Sequence, residues 1–196
     1  MTNKELVKNA IEYLNQSTCY LKGFWCQYLS KPEYDRINAQ YKGANDKYNN
    51  TKYIGTNVYA GDCICWIKQL LAGGKVSKRL SYAQMSANPL GDCTNQKFYD
   101  SLYDCCEPSQ AKPGYGLATP GHAAIYIGNN QWLDYNFSGD QNGLKLHTGF
   151  SGTDFKCGKI PGISYESDEP IIDTEREILL NFCAFLVNMY LNNKTS

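Results

Sequence analysis

From His122 to Phe137 the chain follows the period-two pattern of a β-hairpin. His122-Ala123-Ala124-Ile125-Tyr126-Ile127 reads as a strand, Gly128-Asn129-Asn130 as a turn, and Gln131 to Phe137 as the returning strand. Leu144 to Thr148 and Lys159 to Tyr165 carry weaker strand patterns. Helical spacing lies elsewhere. Lys4 to Asn15 places Leu6, Val7, Ala10, Ile11 and Leu14 on one face. Cys63 to Ala72 follows, with Asp62 as N-cap and Gly73-Gly74 as the stop. Asn95 to Tyr103 reads as a shorter helix, 35–57 as an exposed helix-turn or long loop, and 17–34 has no decisive pattern. A helix ahead of an antiparallel sheet, with a helical tail, predicts an α+β fold.

Composition narrows the classes. The chain has 196 residues, 42% apolar and 13% aromatic, enough for a hydrophobic core and incompatible with disorder. Its 19 basic residues balance 19 acidic ones, so it lacks the electrostatic footprint of a nucleic-acid binder. The longest apolar stretch, Ile178 to Leu191, is interrupted by Asn181 and Asn188 and is too short to span a bilayer. The N-terminus has no apolar signal core, so synthesis in the cytoplasm without a signal peptide is expected. Nine cysteines leave at least one unpaired in a monomer. With two histidines and no Cys-x-x-Cys pair, no zinc spacing is met and neither metal nor cofactor is expected. Most of the thiols read as reduced and buried.

One thiol stands apart. Cys63 opens a helix, where unpaired N–H groups and the dipole lower a thiol pKa from roughly 8.5 toward 7 or below. Cys65 lies about 200° further round the helix, so only one of the two can face a given cleft. A thiolate nucleophile needs an imidazole to take its proton. His122, opening a strand after Pro120-Gly121, fits that need; His147 reads as an incidental strand-end residue. With Gly128-Asn129-Asn130 as a three-residue turn, Ala124 faces Asp134 and His122 faces Asn136. Asp134 then lies diagonally from His122, and either Asp134 or Asn136 can orient the ring. A two-residue turn would put Asp134 on the other face.

The segments Gly61-Asp62-Cys63-Ile64-Cys65-Trp66-Ile67 and Gly121-His122-Ala123-Ala124-Ile125-Tyr126-Ile127-Gly128-Asn129 resemble those of NlpC-like, papain-fold cysteine peptidases that cut peptidoglycan. The likeness is greatest to catalytic domains of bacteriophage endolysins acting on Gram-positive walls, and it covers roughly residues 1–166. It implies an α+β, papain-like NlpC-type fold, with the nucleophile at the N-terminus of a helix packed on an antiparallel sheet. It further implies Cys63 as nucleophile, His122 as base, Asp134 as orienting group and Tyr20 at the substrate; Asn136, opposite His122 on the hairpin, is the other substrate-side candidate. The Ser-Gly that follows the family's nucleophile is replaced by Ile64-Cys65, and the double glycine after its tyrosine is missing here.

The implied reaction is cleavage of a stem-peptide amide, most directly the D-Glu to diamino-acid bond. Cleavage of the muramoyl–L-Ala amide, as in CHAP amidases, and a non-enzymatic wall-binding phage component on the same scaffold are the alternatives. Such an enzyme would act after release to the wall, dependent on a holin if phage-encoded. Residues 167–196 read as an acidic linker followed by a helix over Thr174 to Leu191 with a capping-box-like start at Thr174 and Glu177. That helix is apolar nearly all round, so it either docks on the catalytic domain or pairs with a second copy.

Overall fold

The computed structural model of the chain describes residues 1–165 except 46–49, 79, 139 and 140. The acidic linker, the expected helix over 174–191 and Cys183 lie outside the described residues.

Short helices begin where side chains can cap them. Thr2 and Glu5 form a reciprocal capping box ahead of α1 (Asn3–Glu12), which buries Leu6, Val7, Ala10 and Ile11. Pro32 falls in the first turn of α2 (Lys31–Asn45), where its missing N–H removes no helical bond. Asp62 caps α3 (Cys63–Leu71), all nine residues of which are buried. Ser81 and Gln84 cap α4 (Tyr82–Ser86), and Thr94 caps α5 (Asn95–Ser101). The last of these stops short of Tyr103 because Leu102 is already extended.

Two β-sheets organise the described residues. One has three strands, with β1 (Thr18–Tyr20) parallel to β3 (Tyr59–Gly61) and β2 (Gln27–Tyr28) antiparallel on its other side. The other has six antiparallel strands in the order β4-β9-β5-β6-β7-β8. These are β4 (Tyr103–Cys106), β5 (Gly116–Thr119), β6 (His122–Gly128), β7 (Gln131–Ser138), β8 (Gln141–Thr148) and β9 (Lys156–Lys159). This corrects the expected fold class. The α+β, papain-like NlpC-type arrangement, one helix-covered sheet, is not what forms; the described residues are built round a six-stranded antiparallel sheet and a second, three-stranded one. The reason is pairing at long range. Strands of two or three residues carry no period-two run, so nothing local marked β1, β2 and β3.

Other expectations shift at their edges. The strand expected over Lys159 to Tyr165 forms earlier, at Lys156–Lys159. Residues 35–57, expected as an exposed helix-turn or long loop, hold most of α2 and a 3₁₀ turn at Asn50–Tyr53. The two sheets are tied together at β8, where Thr18 Oγ1 accepts the Leu144 N–H at 2.8 Å. Asn142 Oδ1 likewise accepts the Tyr20 N–H.

The core lies where α3 meets β6 and β7. Trp66, Ile67 and Leu70 are fully buried there with Leu133 and Tyr135, and the Trp66 and Tyr135 rings lie 5.8 Å apart. Among the described residues no helix is long and apolar enough to cross a membrane.

Candidate active site

The sharp entry into α3 is fixed by Asp62. Its backbone is extended, while its carboxylate accepts the Cys65 N–H at 2.7 Å and the Gly23 N–H at 2.6 Å. One side chain therefore caps the helix and pins the 20–23 segment beside it. Gly61 lets the backbone at Cys26 come close, since a Cβ there would lie 3.2 Å from the Cys26 Cα. The first intrahelical bond runs from the Trp66 N–H to the Asp62 carbonyl at 3.0 Å. The N–H groups of Cys63 and Ile64 precede it, at the positive end of the helix.

Cys63 and Cys65 separate as the helical phase requires. Burial, reinforced by the Asp62 carboxylate, pushes the Cys65 thiol well above its usual range, so that sulfur stays protonated. The Cys63 sulfur instead meets two partners. Its S–H donates to Asn95 Oδ1 at 3.5 Å, and it lies beside the His122 imidazole, whose pKa it helps to raise. Asn95 in turn donates through Nδ2 to the Gly121 carbonyl at 2.8 Å. It thus ties Cys63 to the residue that precedes His122.

The imidazole of His122 meets Asp134 through Nε2, 2.6 Å from Oδ2, so the carboxylate does not occupy Nδ1. The β6–β7 register places the two on one face. Ile125 faces Leu133 and Tyr126 faces Trp132, the register expected from a three-residue turn. The turn itself is different. Asn129 and Asn130 both take positive φ, as the primed two-residue turn demands. Ile127 is then an extra residue before Gly128, whose φ of 105° accommodates the bulge. The bulge cancels the phase error of the shorter turn, and Asp134 stays on the side of His122.

The second oxygen of Asp134 is also engaged. His147 Nε2 lies 2.8 Å from Oδ1, reaching in from β8 on the other flank. The His147 ring stacks on Trp132, 3.9 Å between centroids and 10° from parallel. Trp132 is held in turn by its indole N–H, which donates to the Gly149 carbonyl at 2.8 Å. A carboxylate 1% exposed is therefore clasped by two imidazoles.

Charge follows from this packing. Burial pulls the His122 pKa down, yet the hydrogen bonds to Asp134 and Cys63 outweigh it and lift the imidazole to about 10. Burial alone would raise the Asp134 carboxyl, but its bonds to His122 and His147 hold it below the usual carboxylate value. The ring is thus a stable imidazolium beside a sulfur. Cys63 is 2% exposed, and the His122 side chain, at 26%, is the part of the trio most open to solvent.

Of the residues singled out from sequence, Cys63, His122 and Asp134 come together. Asn136 does not meet the imidazole nitrogen that Asp134 takes; it faces Gly143 on β8, and its Oδ1 accepts the Phe137 N–H at 2.7 Å. Tyr20 lies beside Gly61, two positions before Cys63, and its carbonyl accepts from Asn50 Nδ2 at 2.6 Å. Two members of the site were missed. His147 reads in sequence as an incidental strand-end residue, and only the β7–β8 register reveals that it shares a face with Asp134. Asn95 carries no local signal beyond opening a helix after Thr94.

Among the described residues no group of three or more His, Cys, Asp or Glu side chains is arranged to hold a metal ion. Comparison with protein-family models gave no match, and comparison with curated proteins gave none.

Proposed function

We propose that this protein is a peptidoglycan hydrolase that cuts a stem-peptide amide through a Cys-His-Asp thiol mechanism, as a D-Glu to diamino-acid endopeptidase. The observation that carries the chemistry is the line Cys63–His122–Asp134, with the sulfur at a helix N-terminus and the carboxylate buried. The substrate class is supported by the likeness of residues 61–67 and 121–129 to the corresponding segments of wall-cutting NlpC-like peptidases.

In this mechanism the Cys63 sulfur, paired as an anion with the His122 imidazolium, attacks the amide carbonyl carbon to form a C–S bond. The oxygen that becomes anionic is met by the N–H of Cys63 at the positive helix end. The C–N bond breaks as the imidazolium returns its proton to the leaving amine. Water, deprotonated by His122, then hydrolyses the thioester and restores the thiol. Asp134 keeps the ring in one tautomer and stabilises its charge, while His147 fixes the carboxylate from behind. Asn95 acts as a positioning residue for the sulfur, and Tyr20 and Asn136 are assigned to the substrate.

Purified Gram-positive walls incubated with the full chain test this. Turbidity should fall, and mass spectrometry of the released fragments should show new free amines on the diamino acid. Cys63→Ala should slow clearing by about 10⁴-fold or more, whereas Cys65→Ala should clear normally. Clearing by Cys63→Ala at the wild-type rate would refute the mechanism; new amines on L-Ala alone would convert the assignment to an amidase.

A further inference from the structure

Away from the site, three thiols gather at the edge of the six-stranded sheet. Cys106 ends β4, the outermost strand, and lies directly opposite Cys157 of β9. Their sulfurs are 3.8 Å apart. Directly opposed residues of antiparallel strands have Cα atoms about 4.5–5.5 Å apart, inside the range a disulfide spans. Cys105, exposed, points the other way, as alternation along a strand requires. Its sulfur donates to the Leu102 carbonyl at 3.4 Å and lies 3.1 Å from where a Cβ on Gly158 would sit.

The remaining described thiols are spoken for or enclosed. Cys19 and Cys26 are fully buried, Cys26 against the Tyr135 hydroxyl at 3.0 Å. Cys93 donates to the Thr94 carbonyl at 3.2 Å, and Cys63 and Cys65 belong to α3.

We propose that Cys106 and Cys157 are a disulfide-forming pair, which closes by exchange with a low-molecular-weight disulfide and staples the edge strand β4 to β9. Cys106 is half-buried at the sheet edge, whereas burial and the neighbouring Cys106 keep the Cys157 thiol protonated. The first exchange therefore falls to Cys106. Its thiolate attacks the small disulfide, forming a mixed disulfide and releasing one small thiolate. Cys157 then gives its proton to solvent and attacks the Cys106 sulfur, expelling the second small thiolate. Two protein thiols are oxidised and one small disulfide is reduced to two thiols, so electrons balance. The bridge closes a loop spanning 51 positions, which contains β5 to β8 and hence His122, Asp134 and His147. It also anchors β4, the strand that follows the helix opened by Asn95.

The test uses the full chain, incubated with glutathione disulfide, alkylated and digested without reduction. A peptide pair linked through 106 and 157 is expected in the wild type and in Cys105→Ser, which removes the vicinal ambiguity. In Cys157→Ser, Cys106 should instead retain bound glutathione. The oxidised wild-type protein should melt about 5 °C or more above the reduced one, a rise absent from Cys157→Ser. A Cys105–Cys106 or Cys105–Cys157 link, glutathione retained on Cys106 of the wild type, or an unchanged midpoint would overturn the proposal. The outcome is independent of any action on cell walls.

Discussion

Asp134 is the residue on which both imidazoles depend. At 1% exposure a lone carboxylate would be costly to keep charged, and each of its oxygens is instead matched to one ring nitrogen. Its partner His122 titrates near 10 in the folded chain against an ordinary 6.5. A pKa raised by folding means that the folded state binds the proton more tightly. The stabilisation from charged His122 is therefore complete below about 6.5 and is lost as pH rises from there through 10. The depressed Asp134 works in the opposite sense: its contribution is present above the ordinary carboxylate value and fades as pH falls through the lowered one. Urea denaturation of wild type and His122→Gln should show the largest stability gap near pH 6, shrinking steadily by pH 9.5. A gap that widens over that interval would contradict the ion pair.

At the scale of elements, Asp62 joins α3 to the loop that follows β1. Replacing it by Ala strands the N–H groups of Cys65 and Gly23 together. Asp62→Ala should lose about 2–3 kcal/mol in urea denaturation, more than a surface helix cap alone gives. A loss below about 0.5 kcal/mol would mean that the loop is held by other contacts.

What the chain revealed in advance also sorts by element. The core of α3 and the 122–137 hairpin were visible because periodicity and caps are local properties. So was the place of Asp134 on the face of His122, with Asn136 open as its rival, although for an incomplete reason: the turn has two residues, and a bulge supplies the missing phase. The three-stranded sheet was hidden because its strands are two or three residues long and pair at long range. His147 was hidden with it in kind, since its role exists only once β8 is registered on β7. Asn95 reaches Cys63 across 32 positions of chain, which no spacing rule anticipates.

For the whole molecule, the first helix is a structural wedge. α1 packs on α3 and β6, and Leu6, Val7 and Ile11 are 0%, 2% and 4% exposed. The backbone ahead of it pairs with Ser164, Asn3 N–H to Ser164 O and Ser164 N–H to Met1 O, each at 3.0 Å. Burying three such side chains contributes about 5–9 kcal/mol, the size of a domain's entire net stability. A chain lacking residues 1–12 should therefore show no cooperative thermal transition by near-UV circular dichroism. A sharp transition in that truncated chain would show that the sheets hold without the wedge.

The bulge at Ile127 imposes a parity on the molecule. A single-residue deletion between His122 and Asp134 would turn the carboxylate to the opposite side of the sheet, stranding an anion in the apolar interior and leaving the imidazole bare. Natural variants of this ribbon should then gain or lose residues in compensating pairs, whatever happens to the loops elsewhere.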